Sequence, residues 1–172
     1  MRVVAGELGG RKLVSPEGTS TRPTTDRVRE AIFNALGSAG LIEGALVADL
    51  FAGTGAIGIE ALSRGASHCT FVERDRSALR AMEENIDTLD LGSRSRILRS
   101  DAGPAATTLD VDIAFVDPPY EFDGWAELLA TIRAPFVVAE SGRAIEPVDG
   151  WDVTRAKRYG RTWVSFFERV AH

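Results

Sequence analysis

Asp117-Pro118-Pro119-Tyr120 closes the apolar run Ile113-Ala114-Phe115-Val116. A carboxylate, a stiff turn and an aromatic ring therefore follow directly on what reads as a buried strand. Two consecutive prolines fix φ near −65° and supply no amide donor, so the turn cannot continue as helix or ladder. Its carbonyls and flanking side chains are held in place for a ligand. In an open α/β sheet, ligands bind beyond the carboxyl ends of the strands. Asp117, Pro118 and Tyr120 are thus the candidate acceptor-site residues, set against the simpler reading of a strand ending in a proline-rich turn.

A second chemistry-bearing stretch is Asp49-Leu50-Phe51-Ala52-Gly53-Thr54-Gly55-Ala56-Ile57-Gly58. Gly53, Gly55 and Gly58 have the G-x-G-x-x-G spacing that lets backbone approach a ligand at a helix N-terminus. Glu73, twenty residues after Gly53, is placed to accept from a ribose diol. These features alone also describe a nicotinamide dinucleotide site. Asp49 argues otherwise, because a carboxylate in the loop opposes a pyrophosphate and suits a cofactor carrying an ammonium group. Asp101, just past a third strand, can accept from an adenine amino group. The chain also has no second domain to present a hydride acceptor. S-adenosylmethionine, a zwitterionic adenosine cofactor, meets all three conditions, with Phe51 in the same loop. Beside it, Asp117 and the Pro118 carbonyl could accept both hydrogens of a nucleobase amine and aim its lone pair at a methyl group. Tyr120 would stack on a base that is single-stranded or flipped out.

The elements that must position these residues read as alternating strands and helices. Strands are expected at Leu46–Leu50, Thr70–Val72, Arg96–Leu98, Ile113–Val116 and Pro135–Ala139. Helices are expected at Asp26–Leu36, Ala56–Arg64, Arg76–Leu89 and from Trp125 to Ile132. In the first helix Val28, Ala31, Ile32, Ala35 and Leu36 form the apolar stripe, which leaves Arg27 and Arg29 off it. The alternation implies a doubly wound, mostly parallel sheet. Asp152–Lys157 and Thr162–Phe167 flank Tyr159-Gly160 and read as a C-terminal antiparallel hairpin. Arg2–Glu7 and Arg11–Val14, around Leu8-Gly9-Gly10, read as an N-terminal β-hairpin. The expected organisation is an extension over 1–25 and one domain over 26–172.

Composition narrows the class. With 172 residues, 44% hydrophobic and 26% charged, the chain suits a single globular domain without a membrane span. Its one cysteine, Cys69, fits a reducing cytoplasm, and one cysteine with two histidines gives no metal-ligand spacing. The net charge of −5 is uneven. Residues 1–29 carry six cations against three carboxylates, and residues 155–169 carry five against one. Two basic ends could form one basic face, although such charges are most often ordinary solvated surface.

Taken together, these stretches resemble the bacterial small-subunit ribosomal RNA guanine-N2 methyltransferases of the RsmD type. The resemblance is carried by Arg2–Leu13, Arg22–Leu36, Asp49–Ala66, Phe71-Val72-Glu73 and Asp117–Tyr120. It implies a Rossmann-like class I methyltransferase that uses S-adenosylmethionine on ribosomal RNA in small-subunit particles; separately, the chain is expected to be a monomer. It also implies that Thr24, Thr25 and Arg29 sit near the methionine end of the cofactor. RNA contact is implied for the N-terminal hairpin and the neighbouring arginines, hence Arg2, Arg11, Lys12, Arg22 and Arg27. Between Tyr120 and Glu140 the chain is shorter than that pattern. Competing readings are a DNA adenine or cytosine methyltransferase, a protein-glutamine methyltransferase (disfavoured by Asp rather than Asn at 117), a dehydrogenase, and a non-catalytic cofactor- and RNA-binding module.

Overall fold

The computed structural model describes residues 1–16 and 25–171. Thr24 and Arg22 lie outside them. Seven strands form one sheet in the order β3-β2-β1-β4-β5-β7-β6. β1 (Leu46–Leu50), β2 (His68–Glu73), β3 (Ser95–Arg99), β4 (Ile113–Val116) and β5 (Phe136–Ser141) are parallel. β6 (Trp151–Tyr159) and β7 (Thr162–Arg169) are antiparallel, with β7 against β5. The chain winds outward from β1 to β3 and then returns to place β4 on the other side of β1. The carboxyl ends of β1 and β4 therefore face the topological switch point, where a doubly wound sheet opens a crevice.

Each face of the sheet has its own core. On one side α1 (Asp26–Ser38), α2 (Ala56–Ser63) and α3 (Arg76–Thr88) bury Val47, Phe71, Ile113 and Phe115. On the other, α4 (Ala102–Ala106) and α5 (Trp125–Thr131) cover Ala48, Leu50, Ala114 and Val116. Adjacent residues of one strand enter opposite cores, so β4 is apolar throughout and β1 is apolar at every position but one, as strands buried on both faces must be. Asp49 interrupts that run and points to the α1–α3 side.

Three differences from the sequence reading have clear causes. The α1 face turned inward is Val28, Arg29, Ile32, Phe33 and Leu36, so Arg29 lies on the buried stripe instead of off it. Its charge is met by Glu60 and Asp26, partners that helical periodicity does not show. The short α4 has too few residues to display a period. The N-terminal hairpin is reduced to one bridge, Arg2 to Lys12, with turns over residues 5–10. Cross-chain bonds run from Val3 N to Arg11 O and from Gly10 N to Val3 O. The ladder stops there because the next two amides, of Val4 and Ala5, donate to the Glu60 carboxylate at 2.8 and 3.1 Å. Gly6, at φ +85°, lies so close to α2 that a Cβ would sit 2.0 Å from the Ser63 carbonyl oxygen.

Candidate active site at the strand ends

The glycine loop leaves β1 through three left-handed residues: Phe51 at φ 66°, Gly53 at 57° and Gly55 at 84°. Phe51 adopts a conformation that costs a non-glycine residue energy, and its ring packs edge-on to Phe122 at 5.7 Å. Gly55 is the N-cap of α2 and provides no side-chain cap; the first-turn amide of Gly58 is met by Asp49 from β1 instead. Gly58 serves packing: a Cβ there would meet the Phe71 ring at 2.3 Å and the Cys69 sulfur at 2.6 Å.

Three carboxylates surround this loop. Asp49 is 1% exposed and accepts from the Gly58 amide at 3.0 Å. Burial pushes its carboxyl well above the ordinary value; the Gly58 bond opposes this, while the charges of Asp117 and Glu73 raise it further. Glu73 accepts from Gly53 N at 2.8 Å through Oε1, and from Arg74 N and Asp75 N at 2.9 Å through Oε2. It thus braces the loop and keeps one Oε1 lone pair for a ligand. Asp101 starts α4 and forms an exposed ion pair with Arg74 at 3.0 Å. Asp117 follows β4 directly, half-buried, with Pro118 buried behind it. The Tyr120 ring is 42% exposed, and its hydroxyl lies 3.4 Å from Thr162 Oγ1.

Asp49 therefore lies within electrostatic reach of both Glu73 and Asp117, which end the strands on either side of its own. Thr25 spends its hydroxyl capping α1 through the Val28 amide at 3.2 Å. Arg29 is fully buried, and its guanidinium holds Glu60 Oε1 at 3.4 Å, the Arg2 carbonyl at 2.9 Å, and Asp26. Arg2, Arg11, Lys12 and Arg27 are exposed, and an Arg2 Nη donates to the Gly10 carbonyl at 2.7 Å.

Sequence reasoning passed over two residues. Glu60, 0% exposed, gathers Val4, Ala5, Arg29 and Arg64. Asn85 accepts from Val14 N at 2.8 Å and donates to the Val14 and Thr54 carbonyls at 3.0 Å, stapling the N-terminal segment to the glycine loop. For Asn85 the available signal was a polar residue on the inner face of amphipathic α3, and for Glu60 a lone carboxylate in α2, a helix buried on every side. Among the described residues no cluster of His, Cys, Asp or Glu could hold a metal ion, and no helix is long and apolar enough to cross a membrane.

The same constellation has relatives. Residues 1–168 match a family described as Conserved hypothetical protein 95. A Bacillus subtilis protein named "Putative rRNA methyltransferase YlbH" is 40% identical, covering 98% of this chain and 99% of its own. Escherichia coli "Ribosomal RNA small subunit methyltransferase D" is 37% identical, covering 99% and 91%. The chain belongs to this methyltransferase family. A solved structure described as "Putative methyltransferase yhhF from Escherichia coli" superposes over 100% of the chain and 99% of its own, with a TM-score of 0.86 at 35% identity. That likeness extends through the antiparallel β6–β7 unit, so the whole sheet belongs to the family fold.

Proposed function

We propose that the protein transfers the methyl group of S-adenosylmethionine to the exocyclic N2 of a guanine in small-subunit ribosomal RNA. The observation that carries the reading is the placement of Glu73, Asp49 and Asp117 at the carboxyl ends of three neighbouring strands, β2, β1 and β4, beside a turn that carries the exposed Tyr120. Three carboxylates in one crevice repel each other and favour a cationic ligand. The positive-φ glycine loop leaves room at the same place for a nucleoside to approach backbone. These residues fit the cofactor, which when bound supplies an electrophilic methyl group on a sulfonium. Glu73 has acceptor capacity for its ribose. Asp101 can exchange its exposed, weak pair with Arg74 for an adenine amino group. Thr24, Thr25 and Arg29 belong to the methionine end, where Arg29, being buried, acts by holding α1 and the N-terminal segment in place.

Asp117 does the alignment. Its carboxylate and the Pro118 carbonyl accept hydrogen bonds from the two amino hydrogens, which favours a pyramidal nitrogen whose lone pair is withdrawn from the ring π system and aimed at the methyl group. Transfer would leave the cofactor as its neutral thioether and release one amino proton. The rigid Pro118-Pro119 turn keeps these acceptors from relaxing, so little reorganisation is needed at the moment of reaction. Tyr120 stacks on the flipped guanine and excludes water from one face. Arg2, Arg11, Lys12, Arg22 and Arg27 provide phosphate contacts. The relatives named for ribosomal RNA support RNA over DNA.

The test incubates the protein with methyl-labelled S-adenosylmethionine and assembled small subunits, free ribosomal RNA or DNA, followed by digestion to nucleosides. Label in N2-methylguanosine is expected. Label confined to methyladenine or methylcytosine would refute the assignment, and tighter binding of NAD than of S-adenosylmethionine would remove the methyltransferase reading altogether.

A further inference from the structure

At the start of β6, Trp151 and Val153 pair with Arg169 and Phe167, and Trp151 and Phe167 belong to the core on the α5 side of the sheet. The register then shifts between Val153 and Arg155. A bulge of this kind moves each following side chain to the opposite face. Arg155 pairs with Phe166, Lys157 with Val164 and Tyr159 with Thr162, and Phe166 and Val164 pack with the α1-side core. Without the bulge Arg155, Lys157 and Tyr159 would face away from α1; with it they face α1.

They meet the helix across an open cleft of 710 Å³ whose walls include Arg27, Glu30, Asn34, Arg155, Lys157 and Tyr159. The Arg27 guanidinium lies 6.0 Å and the Lys157 ammonium 5.1 Å from the Tyr159 ring centroid, and Arg155 lies 5.9 Å from that of Phe166. None of the three cations forms an ion pair among the described residues. Among the described residues, Glu30 is the one carboxylate on the walls. The cleft ends at Tyr159, whose strand partner Thr162 touches Tyr120.

Cations on an edge strand often only prevent edge-to-edge pairing. That role needs no common face, no aromatic seats and no answering cation on a helix. The geometry points to this cleft as the track for the phosphodiester backbone of the RNA strand that carries the target guanine. The inference rests on the methyltransferase reading above and adds to it a second wall, made by the C-terminal hairpin. Cations spaced along a groove and interleaved with ring faces are the features that hold a single strand without reading its sequence. Tyr159, on the groove wall, is separated by its one strand partner, Thr162, from the Tyr120 ring on which the base would stack.

The test compares wild type with Arg155→Ser/Lys157→Ser, using transcribed small-subunit ribosomal RNA and S-adenosylmethionine as separate probes. Cofactor affinity should be unchanged, which also reports that the variant has folded. RNA affinity at low salt should fall about tenfold, and the slope of log K against log salt should become shallower by about 1.4, at ~0.7 per phosphate contact on a single strand. Should the double variant not fold, Arg155→Gln alone should flatten the slope by about 0.7. Unchanged RNA affinity and slope in a folded variant would overturn the cleft. A wild type that methylates no RNA would instead sink the reading beneath it, a distinct result.

Discussion

The Tyr120 hydroxyl lies 3.4 Å from Thr162 Oγ1, which joins the Asp-Pro-Pro-Tyr turn to the C-terminal hairpin. On its other side the ring abuts Gly142, where a Cβ would stand 2.6 Å from Cδ1. The stacking platform is therefore positioned by the chain after β5, not by the turn alone. Gly142→Ala should displace the ring and lower turnover by up to about 100-fold, the cost of roughly an ångström of misplacement. Cofactor affinity should hold. Steady-state methylation with equilibrium cofactor titration checks both, and wild-type turnover would show that Tyr120 needs no such support.

Asp117 stands half-buried just past the end of β4, the strand that pairs with Asp49's strand β1. Asp117→Ala is expected to abolish methyl transfer while cofactor affinity changes little. Single-turnover assays beside direct titration separate the two. Equal loss of both would place Asp117 in the cofactor pocket.

Asp49 links the site to pH. Its folded carboxyl titrates well above the ordinary 3.8, chiefly through burial. Between 3.8 and that raised value the folded protein keeps a proton that the unfolded chain has released. Stability therefore falls as pH rises through this window, and the ionised group remains a cost above it. Asp49→Asn should raise the melting temperature of the cofactor-free protein near neutral pH, with the gain vanishing as pH falls toward 3.8. A cationic cofactor favours the ionised form, so wild-type affinity should weaken on acidification with proton release on binding. Melts at several pH values and titrations in buffers of different ionisation enthalpy test this. A pH-independent affinity would mean Asp49 does not face the cationic group.

Strands β1 and β4 were legible to the residue, because runs buried on both faces end abruptly at a glycine loop or a double proline. The carboxylates at the strand ends were legible for the same reason. What escaped was set by contacts between distant segments. Arg29 lies inward because Glu60 and Asp26 meet its charge, and the N-terminal ladder ends where Val4 and Ala5 find a better acceptor than the facing strand. The β6 bulge is likewise invisible to alternation, since it changes which neighbour each side chain has without changing the pattern itself.

Glu60 offers the most severe test of that tertiary wiring. Both its oxygens are occupied by Val4, Ala5, Arg29 and Arg64, and its side chain is 0% exposed. Removing one partner of a buried ion pair typically costs about 3–5 kcal/mol, because the other charge stays buried without compensation. Here Asp26 continues to hold Arg29, which puts Glu60→Gln toward about 3 kcal/mol. The loss should fall first on the N-terminal segment, with the Val4 and Ala5 amides exchanging hydrogen faster while the β1 and β4 amides change only with global stability. Urea unfolding and hydrogen exchange read the two effects separately. An unchanged urea midpoint, or uniform acceleration across the sheet, would show that Glu60 is not what anchors the N-terminal segment to α2.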